Sequence, residues 1–116
     1  MGAEPFRSLN VLYCGKRAAE KKEEILNAIR NKKPYPGLYL ITFASNGIDQ
    51  LDILPFFAAM QKHVRDSHPV LAGISIGRQE AFETVAEMAA DAYRLTGACH
   101  LQSFLLAENP AGGTDT

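Results

Sequence analysis

Cys14 is the one residue whose type and surroundings suggest covalent chemistry. It closes the apolar run Leu9–Cys14 and is followed by Gly15, Lys16 and Arg17. A thiol at the end of a strand, facing a helix start and two cations, would have a depressed pKa and could act as a nucleophile. Two other stretches share that form. Ser45-Asn46-Gly47 follows the apolar run Leu38–Phe43, and Gly77-Arg78 follows the run Val70–Ile76. In each, glycine lets backbone N–H groups converge just before a helix. Helix starts with nearby Lys or Arg favour phosphate or carboxylate. The expected site is therefore an anion pocket made by Gly15, Lys16, Arg17, Ser45, Asn46, Gly77 and Arg78, with Cys14 as its catalytic group. The plainer reading is that the glycines only end strands and that Cys14 is a small buried apolar residue.

Such a pocket needs three turns on one rim of a sheet, and the chain reads as elements able to supply them. Val70–Ile76 is a continuous apolar run, which suits a strand covered on both faces. From Arg78 the period becomes 3.6. Phe82, Val85, Ala86, Ala89, Ala92 and Tyr93 mark the expected buried face, and Glu80, Glu83, Glu87 and Asp91 the solvated one. Gly97 stops that helix. Leu9–Cys14 and Leu38–Phe43 read as two further strands, and Lys16–Asn31 as a helix with a narrow apolar stripe. The stretch Asn31–Gly37, with two prolines and a glycine, is a breaker.

Asp49–Arg65 reads as a second helix, with Pro55 in its first turn. Asn46-Gly47 could form a hairpin turn, but the helical pattern that follows argues against one. Ala98–Leu106 alternates in part and reads as an edge strand. The sum is βαβαβαβ: one three-layer α/β domain on a four-stranded, mainly parallel sheet. The expected strand order is 2-1-3-4, as in half of a flavodoxin-like or Rossmann-like fold, with the first helix on the opposite face from the other two. An antiparallel last strand is the structural alternative. Residues 1–8 are expected to be a loose leader, 9–106 the domain and 107–116 a disordered tail.

The placement of Cys14 resembles that of the phosphorylated cysteine in the B subunits of sugar-transport phosphotransferases. The resemblance rests on one residue in a strand-turn-helix context. The serine and glycine-rich loop that follows the cysteine in that family is absent. It implies a phosphocarrier or an enzyme acting on an anionic group. The phosphatase pattern of a cysteine and an arginine with five residues between them fails, because Glu20 occupies the arginine's place. No cysteine or histidine pair has zinc spacing, and no phosphate-binding or dinucleotide-binding glycine motif occurs. No cofactor is implied.

Composition narrows the classes. A formal net charge of −1 argues against a dedicated nucleic-acid binder, which carries a basic excess. The two cysteines, Cys14 and Cys99, do not form a disulfide framework and are expected to be reduced. The start of the chain lacks the blocks of a signal peptide, so a cytoplasmic address is expected. Apolar residues at Ile53, Phe56, Phe57 and Met60 exceed what one covered helix face needs. With the expected edge strand His100–Leu106, they suggest self-association. The reading favoured at this level is a small binding or regulatory module, homodimeric, with the cysteine-dependent enzyme or phosphocarrier as its alternative.

Overall fold

The computed structural model describes residues 6–44, 50–67 and 69–108. Three strands fall where apolar runs place them: β1 (Arg7–Cys14), β2 (Leu38–Phe43) and, in the middle of the sheet, a strand at Val70–Ile76. A further strand, β3 (Leu51–Pro55), precedes that one in the chain, which makes Val70–Ile76 β4. The helices are α1 (Lys16–Glu20), α2 (Lys22–Arg30), α3 (Phe56–Ala59), α4 (Lys62–Asp66), α5 (Arg78–Thr96) and α6 (Leu101–Glu108).

The strand order is β1-β4-β2-β3. Only β1 and β4 are parallel; β2 runs against both β4 and β3. The expected mainly parallel, flavodoxin-like sheet of order 2-1-3-4 is therefore incorrect. Two segments account for the difference. Leu51–Pro55 was expected to start a helix, yet it pairs with β2 from Tyr39 opposite Pro55 to Phe43 opposite Leu51. This is the antiparallel pairing against which the helical pattern argues. The expected last strand is a helix, in which Leu101, Phe104 and Leu105 are buried at helical spacing.

The sheet separates two apolar layers. On one side, Ala18, Ile25 and Ile29 of α1 and α2 pack with Leu38, Leu40, Phe56, Ala59, Leu71 and Ile74. On the other, Met88 and Ala92 of α5 and Leu101, Phe104 and Leu105 of α6 pack on Ile41 and Ala72. The first helical segment thus shares its face with α3, and α5 lies opposite both, which corrects the expected layering. Leu71 and Ile74 face one layer while Ala72 faces the other. Ile41 pairs with Gly73 and Thr42 with Leu71, so Ala72 is the extra residue of a β-bulge that turns the strand over. Phe6 is 4% exposed and β1 begins at Arg7, so the expected leader supplies core at its end.

α5 is seated differently from its apolar pattern. Its buried residues are Glu80, Ala81, Thr84, Met88 and Ala92, whereas Phe82, Ala86 and Tyr93 are exposed. The buried face is turned by about 100°, the angle of one residue step, from the face that sequence hydrophobicity marks. Small residues on β4 explain the seat. A Cβ on Gly73 would lie 3.0 Å from Met88 Cε, so glycine leaves the space that Met88 fills. Beside it, Ser75 Oγ and Thr84 Oγ1 are 3.0 Å apart, and Thr84 Oγ1 donates to the Glu80 carbonyl at 2.8 Å. Polar groups buried at this contact therefore satisfy one another.

Candidate functional site

Because β1 and β4 are parallel neighbours, their carboxyl ends emerge on one rim. That rim brings together Cys14, Gly15, Lys16 and Arg17 with Gly77 and Arg78, five positions of the expected ligand set and its cysteine. Ser45 and Asn46 lie outside the described residues. The strand before them is informative: Leu38 pairs with Ile76 but Thr42 pairs with Leu71, so β2 carries its far end to the opposite rim. Ala44 there accompanies Gln50, to whose carbonyl its N–H donates at 3.1 Å. Two of the three expected turns therefore meet, and the third lies outside the described residues. Beside the two, the proline-rich breaker closes on the rim, where the Gly77 N–H donates to the Gly37 carbonyl at 2.7 Å.

The centre of the rim is a residue that periodicity assigns to solvent. Glu80, in the first turn of α5, is 6% exposed. Its Oε1 accepts from the Arg17 backbone N–H at 3.0 Å and from Arg17 Nε at 3.3 Å. Its Oε2 accepts from the Ala18 N–H at 3.2 Å and the Ile76 N–H at 2.8 Å. One carboxylate thus caps the start of α1, closes the entry to α5 and pairs with a cation. No side chain from the Gly15 end caps α1, so Glu80 supplies from a distance what an N-cap residue supplies locally.

Neighbouring residues make this possible. Gly15 is buried, and a Cβ there would overlap Glu80 from Cγ to the carboxylate. Gly77 has φ +89°, a conformation that side chains rarely adopt, and it turns the chain from β4 into α5. Arg17 completes the arrangement by donating from Nη2 to the Ile76 carbonyl at 2.8 Å. Burial pushes the Glu80 carboxyl upward, but the hydrogen bonds from Ile76, Arg17 and Ala18 outweigh it and hold the group below its ordinary value. It stays ionised at neutral pH.

The Arg17 and Ala18 N–H groups at the start of α1, where an external anion would bind, are thus already taken by an internal one. Of the cations, Arg17 is committed to Glu80 and Ile76, and Arg78 lies over the Phe82 ring at 5.4 Å. Lys16 is exposed.

Cys14 sits beside this arrangement, half-buried against the layer formed by Ile25 and Leu71. Its Sγ lies 3.7 Å from the Leu12 carbonyl. Burial pushes the thiol's pKa up, and the nearby Lys22 charge pulls it the other way by less. That is opposite to the depressed value expected for a nucleophile. Cys99 is exposed, and both cysteines are free. Among the described residues, no cluster of three or more His, Cys, Asp or Glu is placed to hold a metal ion. No helix among them is long and apolar enough to cross a membrane.

The residues expected to mediate self-association are divided by the fold. Phe56 is buried, while Ile53 and Met60 pack against opposite layers. Phe57 is exposed and lines a groove of about 330 Å³ with Tyr35, Tyr39 and Pro55. His100–Leu106 offers no strand edge, because Leu101 onward is helix.

Glu80 was legible in one respect. It stands three residues after Gly77, the spacing at which a first-turn glutamate reaches back to the N–H groups before its helix. Its reach to α1 depends on β1 and β4 being neighbours, which no local signal carries. Comparison of the chain with protein-family models, with curated proteins and with solved structures finds no match.

Proposed function

We propose that this chain is a small α/β binding module that acts through its outer surface, and that its sheet rim is a structural lock. The observation that supports this reading is the Glu80 carboxylate on the Arg17 and Ala18 N–H groups. An anionic substrate at that rim would have to displace a buried ion already held by four donors. Losing a hydrogen bond to a buried charged group costs about 1.5–3 kcal/mol. Millimolar phosphate, fully hydrated in water, offers no comparable gain.

The test is a titration of the full chain with inorganic phosphate, followed by the backbone amide signals of Gly15, Arg17 and Ala18. The reading expects no saturable shift at these amides. A saturable shift confined to them would contradict it and restore the anion pocket.

A further inference from the structure

We propose that α5 packs against α5 of a second copy of this chain, antiparallel across a two-fold axis. The inference rests on the reading of the chain as a surface-acting module and names the partner and the face. It begins from the turn of α5 in its seat. Phe82 is 48% exposed and Tyr93 is 64% exposed, Ala86 is exposed and Ala89 half-buried. These residues form the most apolar stripe of the helix; Arg78 lies over one side of the Phe82 ring at 5.4 Å, and both aromatic side chains still keep about half or more of their surface exposed. Large aromatic residues left on one helical stripe mark a surface that is covered by a partner.

The spacing of the stripe selects a copy of itself as that partner. Phe82 stands four residues before Ala86, and Tyr93 stands four residues after Ala89. Reversing the direction of the helix therefore exchanges the aromatic at one end for the aromatic at the other, and one alanine for the other. An antiparallel pair brings Phe82 against the Tyr93 position of the copy at both ends. The alanines meet at the axis, where small side chains let two helices approach closely. This is the self-complementarity that a two-fold interface requires.

Charge supports the same arrangement. Glu83 and Arg94 flank the stripe on one side, near its two ends, and both are exposed, with Arg94 also paired to Asp91 of its own helix at 3.2 Å. In the antiparallel pair the flank of one helix adjoins the same flank of the other, reversed. Glu83 then lies within one turn of the level of Arg94 in the copy, at each end of the interface. In a parallel pair that flank would instead meet the opposite flank of the copy, and Glu83 and Arg94 would not face each other.

Sedimentation equilibrium of the full chain tests this. The apparent mass should rise with concentration from 12.7 kDa toward twice that value. Ala86→Glu, at an exposed position, should weaken association about tenfold or more, by placing charge at the apolar axis. Glu83→Arg and Arg94→Glu should each weaken it about three- to tenfold, and the double variant should return most of the loss. Circular dichroism confirms that each variant keeps its helix content.

A single 12.7 kDa species at every concentration would overturn the proposal. So would a dimer indifferent to Ala86→Glu, or charge variants that the double exchange does not rescue. A monomeric wild type leaves the reading of the rim standing, since that reading depends on the phosphate titration alone.

Discussion

Gly15 and Glu80 compete for one space at the rim of the sheet, and the absence of a side chain at Gly15 is what lets the Glu80 carboxylate reach the start of α1. The two residues are far apart in the chain and belong to different elements. They meet because β1 and β4 are parallel neighbours whose ends emerge together. The rim is thereby fastened by one ionised group that joins the start of α1, the end of β4 and Arg17.

Substituting Gly15→Ala tests the packing half of that relationship. Gly15 has φ −63°, which alanine adopts without strain, so any loss is steric. The added methyl must push Glu80 off its donors. A loss of about 2–4 kcal/mol is expected from urea denaturation, combining overpacking with broken charged hydrogen bonds. In a Gly15→Ala, Glu80→Ala double variant the two losses should sum to clearly more than the observed total, because each removes the same interaction.

The electrostatic half predicts a pH dependence. The Glu80 carboxyl lies below its ordinary value in the folded chain. Its contribution is complete above the unfolded value of about 4.3 and is lost as pH falls through the lower, folded value. Unfolding free energy should therefore fall on acidification below about pH 5. Glu80→Gln should be less stable at neutral pH and should show a flatter decline over the same range. Parallel curves for the two proteins would place the acid sensitivity elsewhere.

Thiol reactivity separates the lock from the nucleophile. Cys14 is half-buried and its thiol's pKa is raised by burial, while Cys99 is exposed. Iodoacetamide at neutral pH should label Cys99 faster than Cys14, by about tenfold or more, as thiolate fraction and access dictate. In urea the two rates should converge. Faster labelling of Cys14 in the folded chain would revive the cysteine-dependent reading.

Local signals located much of the fold. The runs Leu38–Phe43 and Val70–Ile76 match β2 and β4 residue for residue, and the long helix ends at Gly97, whose φ of +79° is the left-handed stop expected there. Hidden from such signals was the direction and neighbour of each strand. LDILP is short, carries a charge and ends in proline, so it fits a helix start as well as a strand. Once it pairs with β2, the chain reverses at the far rim and β2 runs against β4.

The candidate site shared that fate. The turns after β1 and β4 meet, whereas β2 leaves for the other rim. The place of Glu80 among the charged residues of α5 points it to solvent, and the helix periodicity of Phe82 and Tyr93 points the same way. The small residues of β4 and the grip on Glu80 overrode that pattern.

The most direct measurement is the titration of Glu80 itself, followed through its side-chain carboxyl carbon by nuclear magnetic resonance together with the Arg17 and Ala18 amides. The account predicts a midpoint below the ordinary glutamate value of about 4.3, with both amide signals moving at that same midpoint. A Glu80 that titrates at or above the ordinary value, with the Arg17 and Ala18 amides unmoved, would contradict it.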